Sequence, residues 1–214
     1  MTENQNETQT IISNKTLVLG IWTKPKQTFE YILKQNPNKF VILLIVLGGI
    51  VSAIDRASTK GMGDKMSTAS VLLFALIGGA LFGWITYYLY AFFMSFTGKW
   101  IKGKAEAPQF RTVIAWSLIP SVASLILLIP ELLVFGDDLF KSELSSNELW
   151  YVLLYSFFGL VELVLGIWTL IILVKGVSII QDFGIGKSIL NVLFPGILLL
   201  GLVALIAIPI ILLN

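Results

Sequence analysis

The chain has no cysteine and no histidine, and charged residues are scarce, at 13% of 214. Without cysteine there is no disulfide, no thiolate nucleophile and no thiolate metal site. Without histidine the commonest general base and the commonest transition-metal ligand are missing as well. Most hydrolase chemistries conceivable inside a membrane are thereby excluded, and no enzymatic activity, cofactor or metal centre is expected. Soluble domains carry roughly 25% charged residues, so this composition cannot clothe a water-facing surface. The net charge of +2 is mild, and the basic residues are scattered between apolar runs, which argues against nucleic acid as a partner.

What is present is apolar: 56% of the residues are hydrophobic, and they gather into uninterrupted runs. Crossing a hydrocarbon layer of about 30 Å takes roughly 20 helical residues. The runs at 40–54, 71–96, 113–135, 149–174 and 189–213 predict an all-α integral membrane bundle of five transmembrane helices. The first run covers only about 22 Å before Asp55 and Arg56 arrive. Either the bilayer thins there, or these charges are drawn against the bundle and the helix continues beyond them. Pro120 and Pro130 are expected to kink or interrupt the third span, and the fifth carries Pro195 and Pro209 but no charge.

Residues 1–14 read as a disordered polar tail, 15–38 as an amphipathic interfacial segment, and 39–214 as the five-span domain. The apolar piece at 17–22 is too short for a secretory signal core, so no processing is expected. Thr23 offers an N-cap and Pro25 suits a first helical turn. Phe29, Ile32 and Leu33 then share one face, with Lys26, Glu30 and Lys34 elsewhere. Such a helix is expected along the cytoplasmic interface, with Trp22, Lys24, Lys26, Phe29 and Tyr31 as anchors at headgroup depth. The alternative is a solvated helix packed on the inner loops.

Sidedness follows from lysine and arginine, of which eleven fall on the N-terminal side of the spans and four on the other. Positive charge favours the inside, so the N-terminus is expected in the cytoplasm and the C-terminus outside. The acidic segment 136–148 is then an external loop. The basic segment from Lys99 to Arg111 serves mainly as the orientation signal, with anionic lipid or a cytoplasmic partner as a further use.

Helices in lipid associate through close backbone approach and hydrogen bonds. Three spans carry small or polar residues at spacings of three and four, which is one helix face. They are Ala75, Gly79, Gly83 and Tyr87 in the second span; Ser117, Ser121, Ser124 and Glu131 in the third; and Tyr155, Gly159, Glu162, Gly166 and Thr169 in the fourth. These three faces are expected to meet inside the bundle. A carboxylate near mid-bilayer, as Glu162 is placed, costs at least a few kcal/mol if ionised and needs a partner or a wet cavity. One reading makes it a proton or cation site with Glu131, Tyr87, Ser117, Ser121, Ser124, Tyr155 and Thr169 around it. The other makes it a protonated glutamate that ties neighbouring helices together, with no second acid at its depth. Asp55, Arg56 and Glu131 are expected near the outer surface as one ion-pair cluster.

Certain segments resemble the Yip family of five-span membrane proteins. Gly20-Ile21-Trp22 through Pro25, Thr28, Phe29 and Ile32-Leu33 is similar to that family's leading "W..P...F..IL" segment. Pro108-Gln109-Phe110-Arg111 through Ala115-Trp116-Ser117-Leu118-Ile119-Pro120 resembles its "F+....AYS.LP" segment at the third span. Ile167-Trp168 through Lys175-Gly176, with Gly186-Lys187-Ser188 and Pro195, is similar to its passage from fourth to fifth span. Eukaryotic members are named for interaction with Ypt/Rab GTPases and carry a DLYGP-like motif before the first span. This chain reads Ile32-Leu33-Lys34-Gln35-Asn36-Pro37 there, so the resemblance points to a bacterial-type member without an assigned activity. The resemblance supplies no catalytic residue, and the leading expectation is a membrane organiser or adaptor in the bacterial cytoplasmic membrane that uses its N-terminal helix, basic loop and bundle surface to engage lipids or other membrane proteins. The runner-up is a small transporter or ion pathway centred on Glu162.

Because the background is thiol-free, single cysteines at the two termini test the sidedness. An impermeant maleimide added to intact cells should label the C-terminal cysteine, and reach the N-terminal one only after permeabilisation.

Overall fold

A computed structural model describes residues 13–212, with the side chains of the last helix described as far as 205. The predicted tail lies outside the described residues up to 12, as does the side chain of Pro209; Asn14 is already helical. Among the described residues eight α-helices follow one another: α1 (Asn14–Thr23), α2 (Pro25–Gln35), α3 (Val41–Thr59), α4 (Thr68–Trp100), α5 (Ala107–Ser117), α6 (Ile119–Phe135), α7 (Leu149–Gln181) and α8 (Ile185–Leu212). Short 3-10 turns lie at Met62–Asp64 and Gly136–Phe140. Five segments are long and apolar enough to cross a membrane: Val41–Thr59, Thr68–Trp100, Ala107–Phe140, Leu149–Gln181 and Ile185–Leu205. The protein is an all-α integral membrane bundle.

The helices outrun the apolar stretches that predict them. Helix α3 continues through Asp55 and Arg56 to Thr59, because each backbone amide is satisfied inside its own helix whatever the side chain. Helices α4 and α7 have 33 residues each. At about 1.5 Å per residue each measures about 50 Å, about 20 Å more than the hydrocarbon layer.

Proline sets two of the breaks. Lys24, with φ −132° and ψ 55°, leaves the helical region because Pro25 crowds the residue before it. Segment 15–38 is therefore a helical hairpin and not one continuous helix. Gly20 lets α2 fold back on α1, since a Cβ there would lie 2.8 Å from Thr28 Oγ1. Pro120, in the first turn of α6, lacks the N–H that would carry α5 onward, and the two helices part at Leu118. Pro130 lies inside α6.

The hairpin does not lie free. Leu17, Ile21, Phe29 and Ile32 are buried against Phe110, Val113 and Ile114 of α5 and Ile172, Val177 and Ile180 of α7. Phe29 is 0% exposed, and its ring lies where a Cβ on Gly176 would be, at 3.0 Å. Burying a side chain of that size contributes about 1.5–3 kcal/mol. Thr112 Oγ1 donates to the Pro37 carbonyl at 2.7 Å and Trp116 Nε1 to that of Lys39 at 3.0 Å, which clamps the turn into α3. Together α1, α2, α5 and the adjoining ends of α4, α7 and α8 form a cap at the lysine-rich end of the bundle.

Within the spans α3 and α4 pack most intimately. A Cβ on Gly49 would fall 2.5 Å from the Gly79 carbonyl oxygen and 2.8 Å from Gly83 Cα, and one on Gly79 would fall 2.6 Å from Ile50 Cα. The small-residue face of the second span therefore meets the first span, not the third and fourth. Around Gly159 and Gly166 nothing lies within 4 Å, so these two glycines of the fourth span open onto the bundle surface. Backbone approach requires a facing backbone, and α7 is opposed by side chains of α6 instead.

At the opposite end two acids close a clasp. Asp138, 2% exposed, accepts from Tyr151 Oη at 2.8 Å, from the Ser145 N–H at 2.7 Å, from Lys141 Nζ at 3.4 Å and from the Ser145 hydroxyl. Asp64 accepts from Ser142 Oγ at 2.6 Å and from its N–H at 3.1 Å. These bonds, the hydroxyl's first, hold the Asp64 carboxyl below the usual carboxylate range.

Gly49→Ala should destabilise by about 1–3 kcal/mol through overpacking, while Gly159→Ala should be neutral or slightly stabilising, read as melting temperature in detergent. Because the folded-state pKa of Asp64 is depressed, its contribution is present above the ordinary carboxylate value and is lost as pH falls through the lowered one. Melting of the parent and of Asp64→Asn should therefore differ at neutral pH and converge on acidification.

Candidate functional site

The register between α6 and α7 brings the intramembrane acids together. Ser121 and Thr169 share a hydroxyl–hydroxyl bond of 2.8 Å, and the Ser121 N–H donates to Thr169 Oγ1 at 3.2 Å. Further along, the Phe135 ring meets Tyr151 and Tyr155 edge-on, each at 5.2 Å. Between these fixed points a cavity of about 140 Å³ is lined by Asp55, Ser58, Thr59, Glu131 and Glu162. Glu131 is 3% exposed, while Asp55 and Glu162 reach the bundle surface.

The predicted set is thus partly assembled. Glu162 has two acids as neighbours, where none is expected at its depth. The other side chains divide. Tyr155 packs on Phe135, and Thr169 holds Ser121. Ser117 Oγ donates to the Ile114 carbonyl and Ser124 Oγ to that of Ser121, both at 2.7 Å, so these two are satisfied by their own helix. Tyr87 lies elsewhere, in a groove between α3 and α4 with Ser52 and Arg56. That also separates the predicted cluster of Asp55, Arg56 and Glu131: Asp55 and Glu131 share the cavity, Arg56 points to the other side of α3, and among the described residues no salt bridge joins them. No group of acids among the described residues is placed to hold a metal ion.

The anchors of the N-terminal segment are likewise divided. Phe29 is buried inside the protein and does not face outward as an anchor, because its ring is seated against Gly176 and Val113. Trp22 and Tyr31 are partly buried against the same core. Lys24 and Lys26 are exposed. With Lys175 they line a cleft of about 700 Å³ between α2 and the last turns of α7.

A buried amide lock beside this cleft escapes the charge-based reading. Gln181 Oε1 accepts from the Ala105 N–H at 2.8 Å and its Nε2 donates to Asn191 Oδ1 at 2.9 Å; Asn191 Nδ2 donates in turn to the Met94 carbonyl at 2.8 Å. Each amide nitrogen and oxygen of the two side chains has a partner, both residues are at most 2% exposed, and they join α4, the 101–106 loop, α7 and α8. Gly103 makes room for it, since a Cβ there would fall 2.5 Å from Gln181 Nε2. The signal was present: Asn191 is the lone amide in an otherwise apolar run.

The family model for the Yip1 domain matches residues 19–208. The chain belongs to the Yip1 domain family. Neither the curated proteins nor the solved structures yield a match. The Yip1 domain thus begins inside α1 and extends into α8, taking in the cap, the amide lock and all five spans.

Gln181→Leu leaves the Ala105 N–H and Asn191 Oδ1 without partners, and should cost about 1–3 kcal/mol per unsatisfied group. In detergent melting, Asn191→Leu added to Gln181→Leu should cost much less than it does alone.

Proposed function

We propose that this Yip1-domain protein is a non-enzymatic membrane organiser that engages lipids or other membrane proteins through its cap, from the inner face of a bacterial cytoplasmic membrane. The supporting observation is where the packing is concentrated. Trp116, Phe29, Phe110, Leu17, Ile21 and Ile32, among the largest fully buried side chains, all belong to the cap. A well-packed folded surface is thereby held at the end of the bundle, open at a cleft. The excess of lysine and arginine on that side supports a cytoplasmic cap.

Photocrosslinking residues placed at exposed Gln27 and Lys102, and at lipid-facing Gly159 as a control, test this in native membranes. Discrete protein or lipid adducts should form at the cap positions above the control. Equal yields at all three positions would remove the organiser role.

A second reading rests on the cavity shared by Asp55, Glu131 and Glu162. Acids gathered around one polar space in a membrane suit a proton or cation pathway. Reconstituted vesicles decide: flux that Glu162→Gln abolishes supports this reading, whereas absent flux, or flux indifferent to the substitution, eliminates it.

A further inference from the structure

The cleft between α2 and α7 does not end at the cap. Its lower wall is formed by Lys175 and Ile185, and the same two residues open a second, apolar groove of about 360 Å³ between α7 and α8. In that groove Ile167, Leu170, Ile171 and Ile189 face outward, where lipid lies, and Lys175 is the only polar side chain lining it. From Ile167 to Lys175 the groove extends about 12 Å along the helix. A chamber rimmed by charged side chains above an apolar furrow, joined at Lys175 and Ile185, has the amphiphilic order of a phospholipid.

The charges give the sign of the headgroup. Of the two carboxylates at the cleft, Asp182 is paired with Lys104 at 3.2 Å and Glu30 lies 4.0 Å from Lys26. Lys24 and Lys175 line the same space with no carboxylate in salt-bridge range among the described residues. Lys187 adds a cation at the rim, 5.7 Å from the Phe183 ring that lines the cleft. Long lysine stems can lie along apolar walls while their ammonium groups reach a phosphate, and basic side chains at this height attract anionic lipid.

We infer that the cleft and groove together hold one anionic phospholipid of the leaflet on the lysine-rich side, its phosphate between Lys24 and Lys175 and an acyl chain in the α7–α8 furrow. The inference rests on the cap being a lipid-engaging surface and names the lipid it takes. The two remain separable, since a lipid retained without any cap adduct to protein would leave this site standing and remove only a protein-organising role.

Native mass spectrometry of the full chain, extracted in neutral detergent from membranes containing phosphatidylglycerol and phosphatidylethanolamine, tests it. Phosphatidylglycerol should be retained preferentially. Lys24→Gln with Lys175→Gln should lower retention by about tenfold or more, and Lys15→Gln with Lys34→Gln, basic positions outside the cleft, by less than about twofold. Ile171→Trp, which fills the furrow from its exposed wall, should also lower it, and circular dichroism should report all variants folded. Equal retention of the two lipids would overturn the proposal, as would retention unchanged in the Lys24/Lys175 variant. Displacement of the lipid by glycerol 3-phosphate at equal concentration would overturn it too, by assigning the cleft to a soluble phosphate.

Discussion

The ring of Phe29 rests on the bare backbone of Gly176, and the capped half of the molecule depends on that seat. Any side chain at 176 would meet Val113 first, at 2.4 Å from its Cβ, and then Phe29 at 3.0 Å, and would push α5 and α2 away from α7. The hairpin would lose its main wall, and the cleft its geometry, because Lys24 and Lys26 ride on α2 while Lys175 precedes the glycine by one residue. The same turns of α7 end in Gln181, so the position of α2 and the amide lock are set by one stretch of helix.

Two kinds of packing meet in this protein. In the N-terminal hairpin, outside the spans, apolar side chains leave water on folding, and buried residues such as Phe29 and Ile32 stabilise it in proportion to the area they bury. In the spans, lipid is as apolar as leucine, so contact depends on how closely backbones approach and on which polar groups pair. That is why α3 and α4 meet through glycine, and α6 and α7 through Ser121 and Thr169 with edge-on rings further along. Leu73, Phe82, Leu163 and Leu199 stay on the surface at no cost, since the bilayer is their solvent.

Membrane class, the five spans and the family are legible in the sequence because long apolar runs admit few structures. Other features are not, for identifiable reasons. Phe29 has the spacing of an interfacial anchor, but periodicity records only that one face is apolar, not whether protein or lipid covers it. The glycines at 159 and 166 mimic the packing pattern of 79 and 83, and only the presence of a facing backbone distinguishes them. Asp55 and Glu131 come level with Glu162 through helix register, which depends on contacts such as Ser121 with Thr169 that no local spacing encodes. Gln181 and Asn191 carry no charge and so pass unnoticed, although an amide in an apolar run must find a partner.

Helices α4 and α7 each run unbroken from the acidic end to the cap and are tied at both ends, on one side by the Thr68 hydroxyl of α4 donating to Asp137 and Tyr151 of α7 donating to Asp138, and on the other by the amide lock. A rod longer than the layer it crosses answers a change of thickness by inclining. With both rods fastened at both ends, neither inclines alone. A change in the thickness of the surrounding hydrocarbon is therefore met by the two rods as a pair, and the cap that both support tilts with them.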